Sequence, residues 1–209
     1  MAKAKNNSEV AKRNRNNRMR GAKFEKKVAE ILDMSVVPYS GSNARFGWSD
    51  VRDSEDKNKS IWMGECKNIT IKDGETSVTI KREWLTKNDE RAYGSKAIPF
   101  LAFMISGKPE KYIVLDENVM TFISHELGHN GSWVADYDIT YEKKSHNTTN
   151  LIIPLSDLKL INISVCNLPN AGMIKVRNYG DKEWYTIMSI EAFDNIINQI
   201  RIHYKYMEV

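Results

Sequence analysis

The sequence predicts an α/β fold, in which a helix, three strands, a second helix and a fourth strand follow one another before an α+β extension. Three observations predict it. Apolar residues recur with a helical period after Gly21, short β-branched runs between polar turns come next, and the strongly apolar run 98–105 is typical of a buried strand. The 209 residues give room for one sizeable domain with an appendage.

The first helix is expected to begin at Gly21. Its apolar side chains recur at i, i+4, i+7 and i+8, namely at Phe24, Val28, Ile31 and Leu32. Glu25 lies on one flank of that stripe. The preceding residues, 1–20, are rich in Asn, Lys and Arg and poor in apolar side chains. They are interpreted as a basic arm whose outer part is disordered.

Three short strands are predicted next, at 36–39, 47–51 and 60–67, and residues 68–71 could prolong the third. The loop 40–44 separates the first two strands, and a polar turn separates the second from the third. Residues 76–80 are mostly β-branched and are expected to be extended.

The second half of the core is predicted as a helix at 81–93, the buried strand 98–105, a strand at 111–115 and a helix with Asp116 as its N-cap. The core therefore spans 21–132. The extension, 133–209, is of unknown role. It is expected to contain a strand at 151–155, a hairpin of strands 173–176 and 184–188 and an amphipathic helix at 190–202.

The net charge of +4 is unevenly distributed. Residues 1–23 carry eight basic side chains and one acid, a charge of +7, so the remainder of the chain carries −3. A basic arm on a mildly acidic body predicts contact with a polyanion such as DNA. The predicted DNA-binding residues are Arg13, Arg15, Arg18 and Arg20 in the arm, Arg45 in the loop region, and Lys81 and Arg82 at the second helix.

Cellular location is predicted from the cysteines and the N-terminus. Cys66 and Cys166 lack metal-binding spacing and are interpreted as free thiols of a reducing compartment. The basic N-terminal residues are not followed by an apolar segment, and no apolar run reaches membrane-spanning length. We therefore expect a cytoplasmic protein that does not bind membranes.

An acidic-x-lysine triplet, Glu65-Cys66-Lys67, is the most informative motif of the chain. On a strand, Glu65 and Lys67 project from the same face. A carboxylate beside an ammonium, with Asp50 nearby, suits a divalent cation and an activated water. This pattern indicates hydrolysis of a phosphodiester bond.

The motif also predicts a role for each residue. Asp50 and Glu65 would ligate Mg²⁺, for which Mn²⁺ could substitute, and the backbone carbonyl of Cys66 could complete the coordination. Lys67 would hold the attacking water or offset charge on the phosphate. Glu25 could ligate a second ion or orient a water.

These residues resemble those of the PD-(D/E)xK, or restriction-endonuclease-like, nucleases, and most closely the archaeal-type and phage Holliday junction resolvases. The resemblance covers about half of the chain, from Arg20 to Leu115. The segments that carry it are Arg20-Gly21-Ala22-Lys23-Phe24-Glu25, Ser40-Gly41-Ser42, Glu65-Cys66-Lys67 and Ile80-Lys81-Arg82-Glu83. The chain departs from the family at Ser49, where the family name expects proline, and in a longer loop before Glu65.

The resemblance implies an αβββαβ core with a mixed central sheet flanked by helices. It implies catalytic roles for Glu25, Asp50, Glu65 and Lys67, and a place near the phosphate for Ser40. It further implies a homodimer that acts on branched DNA, such as a four-way junction, in a prokaryotic cell or a phage-infected host. Such a homodimer would act in recombination or in phage DNA processing.

Three alternatives remain open at this stage. The same core also carries restriction-type and repair-type nucleases, because such enzymes share metal chemistry and differ in the surfaces that hold DNA. A DNA-binding protein without enzymatic activity would retain the basic arm. A zinc metallopeptidase is the third alternative, because His125-Glu126-Leu127-Gly128-His129 has the H-E-x-x-H pattern. The glycine and third histidine of the extended metzincin pattern are absent, since Ser132 and Ala135 stand there, while Glu142 and His146 stay possible ligands. The end of an ordinary helix explains the motif better.

Overall fold

The computed structural model describes residues 2–38, 49–54, 60–128, 137–142, 150–163 and 172–207. The helices are α1 (Ala2–Ile31), α2 (Arg82–Gly94), α3 (Glu117–Glu126), α4 (Leu155–Ile163) and α5 (Ile190–Met207). The strands are β1 (Ser35–Val36), β2 (Val51–Arg52), β3 (Trp62–Ile69), β4 (Ser77–Ile80), β5 (Ile98–Ile105), β6 (Lys111–Asp116), β7 (Tyr137–Tyr141), β8 (Leu151–Pro154), β9 (Met173–Asn178) and β10 (Tyr185–Ser189).

Eight of these strands form one sheet, in the order β1-β2-β3-β5-β6-β10-β9-β7. The pairs β3–β5 and β7–β9 are parallel, whereas the other neighbours are antiparallel. Strands β4 and β8 pair with each other in a separate two-stranded sheet. The predicted α/β class, with a mixed central sheet flanked by helices, is therefore confirmed.

Apolar side chains fill both faces of the large sheet. On one face, residues of α1, α3 and α5 pack against β3, β5 and β6, and Phe193 of α5 contacts the rings of Trp62 and Phe100 at centroid distances of 5.2 and 5.0 Å. On the other face, α2, α4 and the small sheet cover the strands through side chains such as Leu85, Leu158 and Ile153. Burial on both faces explains why the run 98–105 is apolar without alternation.

Gly64 allows this packing immediately before the acidic-x-lysine triplet. A Cβ at this position would lie 2.2 Å from the ring of Phe100, its partner in the parallel β3–β5 pair. Only glycine leaves room for that ring without a shift of one strand. The absence of a side chain at Gly64 therefore lets β3 pack directly against the ring of Phe100.

The arm differs from its prediction. Helix α1 begins at Ala2, so residues 2–20 are helical and continuous with the segment that carries Glu25. The predicted disorder of the outer arm is wrong in this respect. Residues 2–20 contain neither proline nor glycine and include good helix formers such as Ala, Lys, Arg and Met. Because the packed turns after Gly21 supply the costly nucleus, these residues can extend an existing helix.

Most of the other predicted elements are present. The second helix, the buried strand and the Asp116 cap are confirmed, since Oδ1 of Asp116 accepts a 2.8 Å hydrogen bond from the backbone N–H of Asn118. The hairpin of β9 and β10 is also confirmed. Of the predicted extended run 76–80, residues 77–80 form strand β4, which belongs to the small sheet. Helix α4 and strand β7 were not predicted.

The extension shares the main sheet with the core. Strand β10 pairs with β6, and β9 and β7 continue the sheet outward. Residues 39–48, which include the predicted loop 40–44 and the start of the second strand, lie outside the described part of the chain. Among the helices that the structure describes, none is long and apolar enough to cross a membrane.

Candidate active site

Glu65 and Lys67 project from the same face of β3, towards α2. Their register partners on β5, Leu101 and Phe103, belong to the core on that side of the sheet. The Lys67 ammonium donates a hydrogen bond to Oε1 of Glu65. The strand geometry thus brings a carboxylate and an ammonium into direct contact.

Helix α2 supplies a second cation, Arg91. Its Nη1 lies 3.3 Å from Oε2 of Glu65, whose side chain is only 13% exposed. Sequence reasoning missed Arg91. The signal that could have found it is helical spacing, because Trp84, Asn88 and Arg91 recur at i, i+4 and i+7 on the side of α2 that faces the sheet.

Trp84 lies beside the lysines of the site. The ammonium of Lys67 is 5.7 Å from the centroid of its ring, and that of Lys81 is 5.6 Å away. Such distances permit cation–π attraction, which restrains the long side chain of Lys67 next to Glu65. The side chain of Lys67 therefore packs against the ring of Trp84.

Asp50 precedes β2 and is buried, with 8% of its surface exposed. Its backbone N–H donates to the carbonyl of Gly64 over 2.9 Å, and its Oδ2 accepts from the backbone N–H of Cys66 over 2.8 Å. The two bonds attach Asp50 to the middle of β3. Its carboxylate therefore lies next to the acidic-x-lysine triplet, as the sequence predicts.

Cys66 presents its side chain to the opposite face of the sheet, in the core under α1. Burial, followed by the charges of Asp50, Glu25 and Glu65, raises the pKa of the thiol well above its usual range. A protonated, buried thiol is unsuited to ligate a metal ion. Cys66 touches Asp50 through its amide, and a role for its carbonyl stays a prediction.

Glu25, which is half-buried on α1, completes the group. Burial, together with the charges of Asp50 and Glu65, raises its pKa to about 7 against the opposing charge of Lys67. The pKa of Glu65 is likewise raised by burial and by Asp50, against the opposing effect of Lys67 and Arg91. Three carboxylates from α1, the residue before β2 and β3 therefore lie close enough to influence one another.

The donor set fits a hard divalent cation that keeps part of its water shell. Within the described ranges, no three His, Cys, Asp or Glu side chains form a ready-made group of metal ligands. Mg²⁺, however, commonly binds through one or two carboxylates plus water and substrate phosphate. Asp50 and Glu65 could provide those carboxylates, and a cation would relieve the repulsion among the buried acids.

Two of the predicted site residues belong to the range 39–48. Ser40 and Arg45 lie outside the described residues, as does the rest of the predicted Ser40-Gly41-Ser42 loop. Ser49, at the position where the resemblance expects proline, is 1% exposed, and within the described part of the chain its Oγ has no hydrogen-bond partner.

The predicted DNA-binding residues that the structure describes lie in two places. Arg13, Arg15, Arg18 and Arg20 are exposed along α1. Arg18 is seven residues before Glu25, so it lies on the same side of the helix, about 10 Å nearer the N-terminus. Lys81 is exposed beside Trp84, whereas Arg82 forms an ion pair with Glu183 of the extension.

The H-E-x-x-H motif does not lie on one helix. Helix α3 ends at Glu126, Leu127 is its C-cap, and Gly128 has a φ of +68°. His125 is 88% exposed near this end, and His129 lies outside the described residues. The helical i, i+4 arrangement that a zinc peptidase requires is interrupted before the second histidine.

Comparison of the chain with protein-family models, with curated proteins and with solved structures found no significant match.

Proposed function

We propose that this protein is a metal-dependent DNA endonuclease, and specifically a structure-selective resolvase of four-way junctions in recombination or phage DNA processing. One observation carries the proposal: the Lys67 ammonium contacts Glu65 on β3, and Asp50 accepts a hydrogen bond from the backbone N–H of Cys66 between them. The charges of Asp50 and Glu65 also raise the pKa of Glu25. The chain order α1, β1, β2, β3, α2, β5 also agrees with the implied αβββαβ core, with β4 as an additional strand.

Asp50 and Glu65 would hold Mg²⁺, or Mn²⁺ in its place. When bound, the ion supplies Lewis-acid chemistry, since it polarises the scissile phosphate and acidifies a water. The amide of Cys66 fixes the direction of the Asp50 carboxylate. Lys67, restrained by Trp84, stabilises the negative charge that develops on the phosphate oxygens.

Glu25 accepts the proton of the attacking water. A carboxyl with a pKa of about 7 can accept a proton near neutral pH, which is the property required of a general base. A bound cation would lower this pKa, so Glu25 would be ionised in the loaded enzyme. Its position on α1 places it at the base of the basic arm, where DNA would enter.

The basic arm holds the substrate. The exposed arginines of α1 contact the phosphate backbone, and phosphate contacts position a duplex without reading its sequence. A symmetric homodimer would present two such arms and two sites, which suits the two-fold character of a four-way junction. The dimer and the junction preference are drawn from the family resemblance.

A cleavage assay tests the proposal. Purified protein is incubated with a labelled four-way junction, a matched duplex and a single strand, with and without Mg²⁺. We expect Mg²⁺-dependent cutting of the junction. Glu65→Ala and Lys67→Ala should abolish cutting while DNA binding persists, and Glu30→Ala, which removes an exposed carboxylate of α1, should cut normally.

The same assay separates the alternatives. Equal cutting of duplex and junction would favour a restriction or repair nuclease on the same core. Binding without cutting at any Mg²⁺ or Mn²⁺ concentration would favour a non-enzymatic DNA-binding protein. Cutting that survives in a clean Asp50→Ala preparation would rule out the proposed site.

A further inference from the structure

Arg91 reaches the candidate site from the third turn of α2. Its Nη1 is 3.3 Å from Oε2 of Glu65, while the ammonium of Lys67 contacts Oε1 of the same carboxylate. The side chains of Arg91, Lys67 and Glu65 are 29%, 27% and 13% exposed, so the three groups are largely removed from solvent. Both oxygens of Glu65 are therefore in contact with a cationic side chain.

A metal ion and these side chains must compete for Glu65. A divalent cation binds the carboxylate only through its oxygens, and it repels a guanidinium at short range. Lys67 lies on the same strand as Glu65 and packs beside Trp84. Arg91 comes from a different element and makes the longer contact, so it is the cation that the metal ion displaces more easily.

A displaced guanidinium would stay within reach of the substrate. Helix α2 is fixed to the sheet, because Nδ2 of the buried Asn88 donates a 2.9 Å hydrogen bond to the carbonyl of Phe100 and Leu85 is buried in the core. Arg91 thus remains one side-chain length from Glu65. Its planar fork matches phosphate oxygens better than an ammonium does.

We propose that Arg91 is a phosphate-binding residue of this site, which contacts Glu65 before metal binding and transfers to the DNA phosphate once the ion occupies Glu65. The inference rests on the proposed nuclease function and names a residue that neither the motif nor the resemblance supplies. It gives Arg91 opposite effects on two measurable steps. The residue weakens metal binding to the DNA-free protein, and it accelerates cleavage.

The test measures both steps in Arg91→Gln. Binding of Mn²⁺ alone to the DNA-free protein, followed by electron paramagnetic resonance, should tighten about five-fold, because the competing ion pair is removed. Cleavage of the junction at saturating Mn²⁺ should slow by at least about ten-fold, because the guanidinium no longer binds the phosphate. Arg91→Lys keeps the charge but not the fork, so Mn²⁺ affinity should stay near wild type while cleavage slows.

A charge-matched control is Lys87→Gln, which removes an exposed cation one turn earlier on the same helix. It should change Mn²⁺ affinity by less than about two-fold. Thermal unfolding of each variant without metal checks that α2 remains folded. If Arg91→Gln unfolds, Arg91→Met, which also removes the charge and keeps an apolar stem, replaces it.

The outcomes are distinct. Weaker Mn²⁺ binding together with slower cleavage in Arg91→Gln would mean that Arg91 only orients Glu65, and this would overturn the inference. Unchanged values for both steps would overturn it as well. If the wild-type protein neither binds Mn²⁺ nor cuts DNA, the proposed function itself fails, and the inference fails with it.

Discussion

The backbone N–H of Cys66 donates a 2.8 Å hydrogen bond to Oδ2 of Asp50, which ties the residue before β2 to the middle of β3. A buried carboxylate that accepts a backbone hydrogen bond is held in place, and in this protein it is held next to the acidic-x-lysine triplet of β3. Asp50 therefore has two separable properties. It provides an acceptor for the amide, and it provides a negative charge for the site.

Asp50→Asn separates these two properties. The asparagine oxygen can still accept from Cys66, so the fold should remain intact, whereas the loss of charge should slow Mg²⁺-dependent cleavage by at least about 100-fold. Because the charge of Asp50 raises the pKa of Glu25, that pKa should fall below about 7 in the variant. An NMR titration of the Glu25 carboxyl measures it. An unchanged pKa would contradict the proximity of the two carboxylates.

The sequence predicts β3 and β5 well because these strands pack against buried side chains, whereas the prediction for β2, 47–51, meets the observed strand only at Val51. The apolar stripe of α1 and the apolar run of β5 likewise indicate their burial directly. Glu65 and Lys67 were found because a strand period of two fixes their common face. For this part of the site, local pattern and tertiary structure agree.

Arg91 could not be predicted in the same way, because its contact with Glu65 joins residues 26 positions apart on different elements. The position of β4 was missed for a similar reason, since a β-branched run does not indicate which strand it pairs with. The helicity of residues 2–20 depends on the nucleus that the packed end of α1 supplies. In each of these cases, tertiary context overrides local composition.

The raised pKa of Glu25 makes the free energy of unfolding depend on pH. Its pKa in the folded protein is about 7, above its ordinary value of 4.5, so the folded state binds the proton more tightly than the unfolded state. The stability that this group contributes is complete below about pH 4.5 and is lost as the pH rises through about 7. Asp89, whose pKa burial also raises to about 7, acts in the same direction.

Glu25→Gln should therefore unfold at a higher temperature than the wild type at pH 8, and the difference should shrink as the pH falls towards 4.5. Melting curves of both proteins across this range, without metal ions, provide the measurement. Glu30→Gln, an exposed position on the same helix, serves as the control. A constant difference at every pH would show that Glu25 does not titrate as described.

Gly64→Ala should destabilise the fold, because its Cβ would lie 2.2 Å from the ring of Phe100. Overpacking of a close-packed core costs about 1–3 kcal/mol. Gly94→Ala is the matched control, since no atom lies within 4 Å of the added Cβ at the end of α2. The control should be neutral or stabilising by up to about 1 kcal/mol. Urea unfolding of both variants compares them, and equal stabilities would contradict the close approach of Phe100.

The arginines of α1 should contribute a salt-dependent part of DNA affinity. Replacing Arg13, Arg15, Arg18 and Arg20 together by Gln should weaken duplex binding and reduce the slope of log K against log salt. The expected reduction is about 0.9 for each phosphate that an arginine no longer neutralises, because every neutralised phosphate releases condensed counterions. Fluorescence anisotropy at several salt concentrations gives this slope.

A charge-matched control for the arm replaces four exposed lysines from other parts of the chain by Gln. They are Lys96, Lys108, Lys159 and Lys182. Both variants lose four positive charges, so a general electrostatic effect would lower the two slopes equally. A direct role for α1 in binding phosphates requires a clear reduction of the slope in the arginine variant alone. Equal reductions would show that the arm adds charge to the molecule without touching DNA, and the helix that carries Glu25 would then have no role in guiding the substrate.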